Sequence, residues 1–357
     1  MLTSILTSYG FEPDKCIIQT FGSGLINHTW VIKYEDRQYI LQKINHHVFK
    51  NPQDIADNIR VVSDYLKHYF PNYLFVTPIL SIGNKDVVLD GENYYRVFPF
   101  VENSVTFTTL ENPQLAFEAA KQFGKFTHLL SGFDAAILKE TLPDFHNLTL
   151  RYNQFEESLV HGNKKRLSEA GDCIKQIKRY CYIVDEFESI KANVHFKKRV
   201  MHHDTKISNV LFDDNNNGLC LIDLDTVMPG YFISDAGDMM RTYLSPVSEE
   251  EKDFTKIEIR EDFFEAIVEG YLSEMKADLT AAELDSFVYA GKFMIYMQAV
   301  RFLADYLGND IYYGSKYEGH NLLRAKNQLY LLDRLQEKEE RLLLRTKQQQ
   351  YFFANGK

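Results

Sequence analysis

Val200-Met-His-His-Asp-Thr-Lys-Ile-Ser-Asn-Val-Leu-Phe212 runs into Asp213-Asp-Asn-Asn-Asn-Gly218 and then into Leu219-Cys-Leu-Ile-Asp223. Two apolar runs enclosing a turn of Asp, Asn and Gly predict a β-hairpin. Pairing centred on Asn216 puts Asn209 opposite Asp223, with Cα atoms about 4.5–5.5 Å apart. An amide oxygen and a carboxylate that close suit a hard cation such as Mg2+. Asp204 stands five residues before Asn209, in the order His202-x-Asp-x-x-x-x-Asn209. That spacing matches a phosphoryl-transfer catalytic loop, in which the Asp takes the proton of the attacking hydroxyl. Lys206, two residues on, is placed to offset charge on the moving phosphoryl group.

Upstream, the first hundred residues read as strands interrupted by one helix. Thr29 to Tyr34 and Gln38 to Ile44 flank the charged turn Glu35-Asp36-Arg37. Asn51-Pro52 predicts a helix start with Asn as the cap, and Ile55, Ile59, Val62 and Leu66 share one face of that helix. Strand patterns return over Tyr73 to Ile82, Asp86 to Leu89 and Tyr94 to Val101. Phe21-Gly-Ser-Gly-Leu-Ile-Asn-His-Thr-Trp30 places Gly22, Ser23 and Gly24 between strand signals, where backbone can approach phosphates. Lys43 then follows on a strand, and a helix bearing Asp54 and Asp57 offers it an acidic orienter. Phe98-Pro-Phe-Val-Glu102, with Phe100 at its centre, is the expected lobe linker that meets adenine.

Beyond Glu102 the pattern turns helical. Asn112-Pro113 opens one helix, and Thr280-Ala-Ala-Glu283 is a capping box ahead of an amphipathic helix reaching Leu307. A charged helix covers about 321–345. The expected architecture is α+β and bilobal, like the protein kinases, with a small antiparallel-sheet lobe and a larger helical lobe. The expected domains are residues 1–102 for the nucleotide and 103–357 for the catalytic loop and acceptor.

Composition narrows the partners. Forty basic against fifty acidic side chains give a net charge of −10, which speaks against nucleic acid or an anionic membrane surface as the main partner. The residues after Met1 show no signal-peptide pattern, and no apolar run is long enough to span a bilayer. Four scattered cysteines without a Cys-x-x-Cys pair fit free thiols in a reducing cytosol. A sulfatase reading fails because no Cys/Ser-x-Pro-x-Arg segment occurs.

Over roughly residues 15–335 the chain resembles the aminoglycoside phosphotransferase and choline kinase superfamily, and within it most resembles the N-acetylhexosamine 1-kinases. Asp204-Thr-Lys, Asn209-Val-Leu-Phe-Asp213 and Ile222-Asp-Leu-Asp-Thr-Val-Met-Pro-Gly230 carry the likeness, with Asp235-Ala-Gly-Asp-Met-Met-Arg241 and His320-Asn-Leu-Leu-Arg-Ala325 adding to it. The resemblance implies ATP and Mg2+ as cofactors and Asp204 as the base. It also implies Asn209 and Asp223 as metal ligands, and Asp225, a second carboxylate nearby, is the third expected metal-site residue. Aligned on Leu41, it puts the family's strand cation on Gln42 rather than Lys43. The implied reaction is phosphorylation of the anomeric hydroxyl of an N-acetylhexosamine. The alternative acceptors are choline, ethanolamine, an aminoglycoside or another small alcohol or amine, and a non-catalytic nucleotide-binding module is a third reading. For a sugar, Arg301, Asp305 and His320 are the expected acceptor-site residues. Arg301 and Asp305 sit four apart on the long helix, and Tyr312-Tyr313 and His320 follow a glycine-bearing loop.

Overall fold

The computed structural model describes residues 2–22 and 26–354. The fold is α+β and bilobal, with a small antiparallel-sheet lobe and a larger helical lobe, as in protein kinases. One compact unit holds the chain up to Thr106 together with Gly132–Pro143 and Asn209–Pro229. The other holds Phe107–Ser131, Asp144–Ser208 and the chain from Gly230 onward.

In the first unit, strands β1 (Ile17–Thr20), β2 (His28–Tyr34), β3 (Arg37–Ile44), β4 (Val88–Asp90) and β5 (Asn93–Pro99) form an antiparallel sheet. Their order is β1-β2-β3-β5-β4. Ile32, Leu41 and Val97 pack on one face against Ile5, Leu6 and Phe11 of the N-terminal segment. Side chains alternate along β3, so Leu41 and Lys43 share that face and Gln42 takes the other, directly across from Arg96 on β5. The helix Pro52–Tyr69 buries Ile55, Ile59, Val62 and Leu66, the four positions its spacing singles out. Each such burial is worth about 1.5–3 kcal/mol. Pro52 opens the helix, but Asn51 makes no side-chain cap bond, contrary to expectation.

Two other expectations fail locally. Tyr73 to Ile82 is not a strand. Pro78 interrupts it with a residue that has no N–H to give a ladder, and the segment holds to the sheet through Ile79 N–H donating to Val97 O at 2.8 Å. The hairpin Val210–Phe212/Gly218–Leu221 exists, but its register differs by one residue from the expected one. Val210 pairs with Leu221 and Leu211 with Cys220, and an irregularity then sets Phe212 against Gly218. Asp213 causes the shift by building its own turn. Its Oδ1 accepts the N–H groups of Asn215 and Asn217 at 2.8 Å, while Asn216 takes φ 63°. Asn209 O therefore accepts from Ile222 N (2.9 Å), and Asp223 lies one residue past the pair.

The second unit is helical. Pro113–Leu129, capped by the Asn112 side chain on Leu115 N–H, packs closely against Glu261–Met275. Glycine is required at the contact, since a Cβ on Gly270 would stand 2.2 Å from Phe117 O. The Thr280/Glu283 capping box is present, but its helix stops at Leu284 and a new one, Phe287–Leu307, starts after Ser286. Phe287–Leu307 is buried nearly all round, as the central helix of a large core must be. The last helix runs from His320 to Ala354, longer than the charge pattern indicated. Among the described residues, no helix is long and apolar enough to cross a membrane.

Candidate active site

The Asp204 loop is built from behind by one helix. Strand Arg199–Met201 ends at His202, and His203 adopts φ 65°. Such a turn needs its N–H groups held. Asp235, fully buried on the helix Phe232–Tyr243, accepts from His202 N (2.9 Å) and His203 N (2.7 Å). Asp238, one turn on, accepts from Thr205 N at 2.8 Å, and Tyr243 Oη donates to Thr205 O at 2.6 Å. Arg241 in turn holds Asp238 through Nε (3.3 Å) and Nη2 (3.1 Å). Burial pushes the Asp235 carboxyl up to about 7, against the two N–H bonds that favour its charge, with Asp238 and Asp204 adding repulsion. Asp204 is left at the partly open edge of this scaffold, with Lys206 Nζ 3.0 Å from its Oδ2. The sequence offered Asp235 and Asp238 only as part of a resemblance, and the fold gives them work as struts.

In the other unit, Asp223 is exposed and left-handed at φ 60°, and Asn209 is buried. A carboxylate and an amide oxygen are the hard donors that Mg2+ takes alongside nucleotide phosphates, so this pair fits the ion. Among the described residues, no group of three or more His, Cys, Asp or Glu is arranged to hold a metal. Asp225 lies differently, 2% exposed, with Arg96 Nη2 2.5 Å from its Oδ1 and Asn27 Nδ2 donating to its Oδ2 at 2.8 Å. Arg96 was not among the residues the sequence singled out. Its signal was the Gln42 departure, and Gln42 Oε1 accepts from Arg96 Nε (3.0 Å) and Nη2 (2.8 Å). Asp54 and Asp57 both pair with Lys139, at 3.0 and 2.8 Å. Gly22, at φ 73°, is exposed; Ser23 and Gly24 lie outside the described residues. Phe100 is half-buried, its N–H donates to Gln38 O (3.2 Å), and it lines a cavity of about 760 Å³ with Arg37, Tyr39 and Glu102.

The acceptor candidates divide. Arg301 is partly exposed, with Nη2 donating to Tyr312 Oη at 3.3 Å and its guanidinium 5.4–5.7 Å from the ring centres of Phe145, Tyr312 and Tyr313. Asp305 is 9% exposed, and its oxygens accept from Tyr312 N (2.7 Å), Tyr313 N (2.9 Å) and Asn321 Nδ2 (3.1 Å). It therefore shapes the tyrosine loop from within. His320 is buried, its Nδ1 accepting from Lys316 N (3.3 Å), with Nε2 3.5 Å from Glu250. Phe145 and His146 join this group unannounced by the sequence. The His146 imidazole is held well below its usual range by burial, then by His203, Arg301, Arg241 and Arg151. The surroundings of Arg301 are thus aromatic and cationic.

The model of the phosphotransferase enzyme family (APH) matches residues 17–281. Among solved structures, a spectinomycin phosphotransferase in complex with ADP and spectinomycin is similar at 15% identity and TM-score 0.61, over 95% of this chain and 98% of that one. A microcompartment-associated aminopropanol kinase gives 15% and 0.62, over 96% and 98%. A choline kinase from Cryptosporidium parvum gives 13% and 0.59, over 98% and 99%. At these identities the likeness carries the fold.

Proposed function

We propose, for a chain that belongs to the phosphotransferase enzyme family, that it moves the γ-phosphoryl of ATP to a hydroxyl of an N-acetylhexosamine, at the anomeric carbon. Family membership implies ATP and Mg2+. When bound, the ion neutralises charge on the phosphates; Asn209 and Asp223 are the residues that would hold it. Asp204 takes the hydroxyl proton, and Lys206 keeps a positive charge beside it. Glycine-loop residues Gly22 to Gly24 and the Phe100 segment serve the nucleotide, with residues 1–102 as its domain and 103–357 as that of the acceptor.

Arg301 is the observation that carries the acceptor. A guanidinium among Phe145, Tyr312 and Tyr313 offers donors and ring faces to a neutral sugar, and it repels a quaternary or primary ammonium. Asp305 supports this indirectly, by fixing the loop that carries both tyrosines, and His320 closes the far side of the same segment. The second reading, an amine-bearing acceptor such as choline, ethanolamine or an aminoglycoside, draws on the substrates named for the similar solved structures and on the net charge of −10.

Kinetics of Arg301→Ala separate the two. In a coupled ADP-release assay, KM for N-acetylglucosamine or N-acetylgalactosamine should rise roughly tenfold, the size of one lost charge-assisted hydrogen bond. KM for ATP should stay within about twofold. Turnover with choline or an aminoglycoside and none with either hexosamine would replace the sugar reading with the second one.

A further inference from the structure

Asp223 and Asp225 are two residues apart, yet they meet very different surroundings. Asp223 is exposed, and Asp225 is 2% exposed. One oxygen of the Asp225 carboxylate accepts from Asn27 Nδ2 at 2.8 Å, and the other stands 2.5 Å from Arg96 Nη2, an ion pair without hydrogen-bond geometry. Its carbonyl accepts from Thr141 Oγ1 at 2.7 Å. Arg96 is equally committed: 1% exposed, bonded twice to Gln42 and 4.9 Å from the Phe98 ring centre. Asn27, which follows the glycine-bearing loop, turns its own Oδ1 to Asn45 N (3.0 Å).

A buried carboxylate must be paired and hydrogen-bonded, and Asp225 has its ion pair in Arg96 and a hydrogen bond from Asn27. A divalent cation drawn to it would have to displace Arg96 and leave a guanidinium buried without a partner. Charge counting agrees. Two carboxylates and one guanidinium leave this turn a net −1, the charge of Asp223 alone.

We propose that Asp225 is the anchor of Arg96 and Asn27, not a metal ligand, so that the protein brings one carboxylate, Asp223, to the divalent cation of the nucleotide complex. The proposal rests on the kinase reading above and goes beyond it. In this chain Arg96 on β5, rather than a lysine on β3, is the buried cation of the sheet, and Asp225 is its positioning residue. Through Asn27 the same carboxylate ties the segment after the glycine loop to the turn that carries Asp223.

Titration of Mn2+ with ADP, followed by electron paramagnetic resonance on the intact protein, tests this without turnover. Asp223→Asn should weaken Mn·ADP binding roughly tenfold or more, by removing the one charged ligand. Asp225→Asn should also weaken it, because Arg96 is then unpaired and repels the ion. Adding Arg96→Met to Asp225→Asn removes the stranded charge, and affinity should return to within about threefold of wild type. Thermal melting confirms that each variant is folded, and the double variant replaces Asp225→Asn as the deciding protein if the single one unfolds. A double variant as deficient as Asp223→Asn would overturn the proposal, because Asp225 would then contact the ion itself. Wild-type protein that binds no Mn·ADP would instead overturn the kinase reading beneath it.

Discussion

Asp225 and Asp235 are both buried carboxylates, yet a guanidinium faces one and peptide N–H groups face the other. In the sheet-bearing unit, Arg96 gives Asp225 a full opposite charge. In the helical unit, Asp235 has the N–H groups of His202 and His203, with Asp238 and Asp204 adding repulsion. The two sit behind partners with outward work, Asp223 and Asp204. Each unit therefore carries its electrostatic cost in a different form. A full opposite charge holds Asp225 in place, whereas burial, only partly offset by two N–H groups, raises the Asp235 carboxyl to about 7 and makes it sensitive to pH.

The largest expected effect breaks the helical half of the comparison. Asp204→Asn should cut kcat by about 10²–10⁴-fold, the usual loss for a general base. Melting temperature and ADP affinity should hardly change, since Asp204 sits at the edge of a loop held by other residues. A variant keeping more than half of wild-type kcat would remove Asp204 from the chemistry.

Next in size is stability in the sheet-bearing unit. Asp225→Asn leaves the Arg96 charge buried, which typically costs about 3–5 kcal/mol. Urea unfolding should show that loss, and the Arg96→Met/Asp225→Asn pair should recover most of it. Equal stability of wild type and Asp225→Asn would mean that solvent already screens the pair.

The smallest effect is a slope. The Asp235 carboxyl titrates near 3.8 when unfolded and near 7 in the fold, so between those values the native state holds one more proton. Its contribution to stability is therefore complete below about 3.8 and is lost as pH rises toward 7, at no more than about 1.4 kcal/mol per pH unit. Asp235→Asn cannot titrate there. The stability of wild type relative to Asp235→Asn should thus fall from pH 5 to pH 7 and level off above it. A difference that stays constant from pH 5 to pH 8 contradicts the assignment.

Much of this was legible in the chain itself, and the failures have local causes. Period-3.6 burial named Ile55, Ile59, Val62 and Leu66 correctly because a long amphipathic helix repeats its signal. The hairpin of residues 210–221 was legible from its turn composition, but its register was not. The Asp213 side chain takes two backbone N–H groups and moves the pairing by one, which strand alternation does not reveal. Tyr73 to Ile82 read as a strand from its apolar content, although Pro78 interrupts the ladder. Arg96 was missed because a lone Arg in a strand carries no signal by itself. Only the pairing of Gln42 with Arg96 shows that the cation comes from the neighbouring strand. Asp305 was expected to face an acceptor, and its bonds to Tyr312 and Tyr313 became visible only once the loop between helices was folded.

The most direct test of the central claim is one-pot 31P nuclear magnetic resonance with the protein, Mg2+, ATP and equal amounts of N-acetylglucosamine and choline. The γ-phosphate signal should disappear while a phosphomonoester coupled to an anomeric proton grows, with Asp204→Asn nearly silent. Growth of phosphocholine, or of inorganic phosphate alone, would contradict that claim.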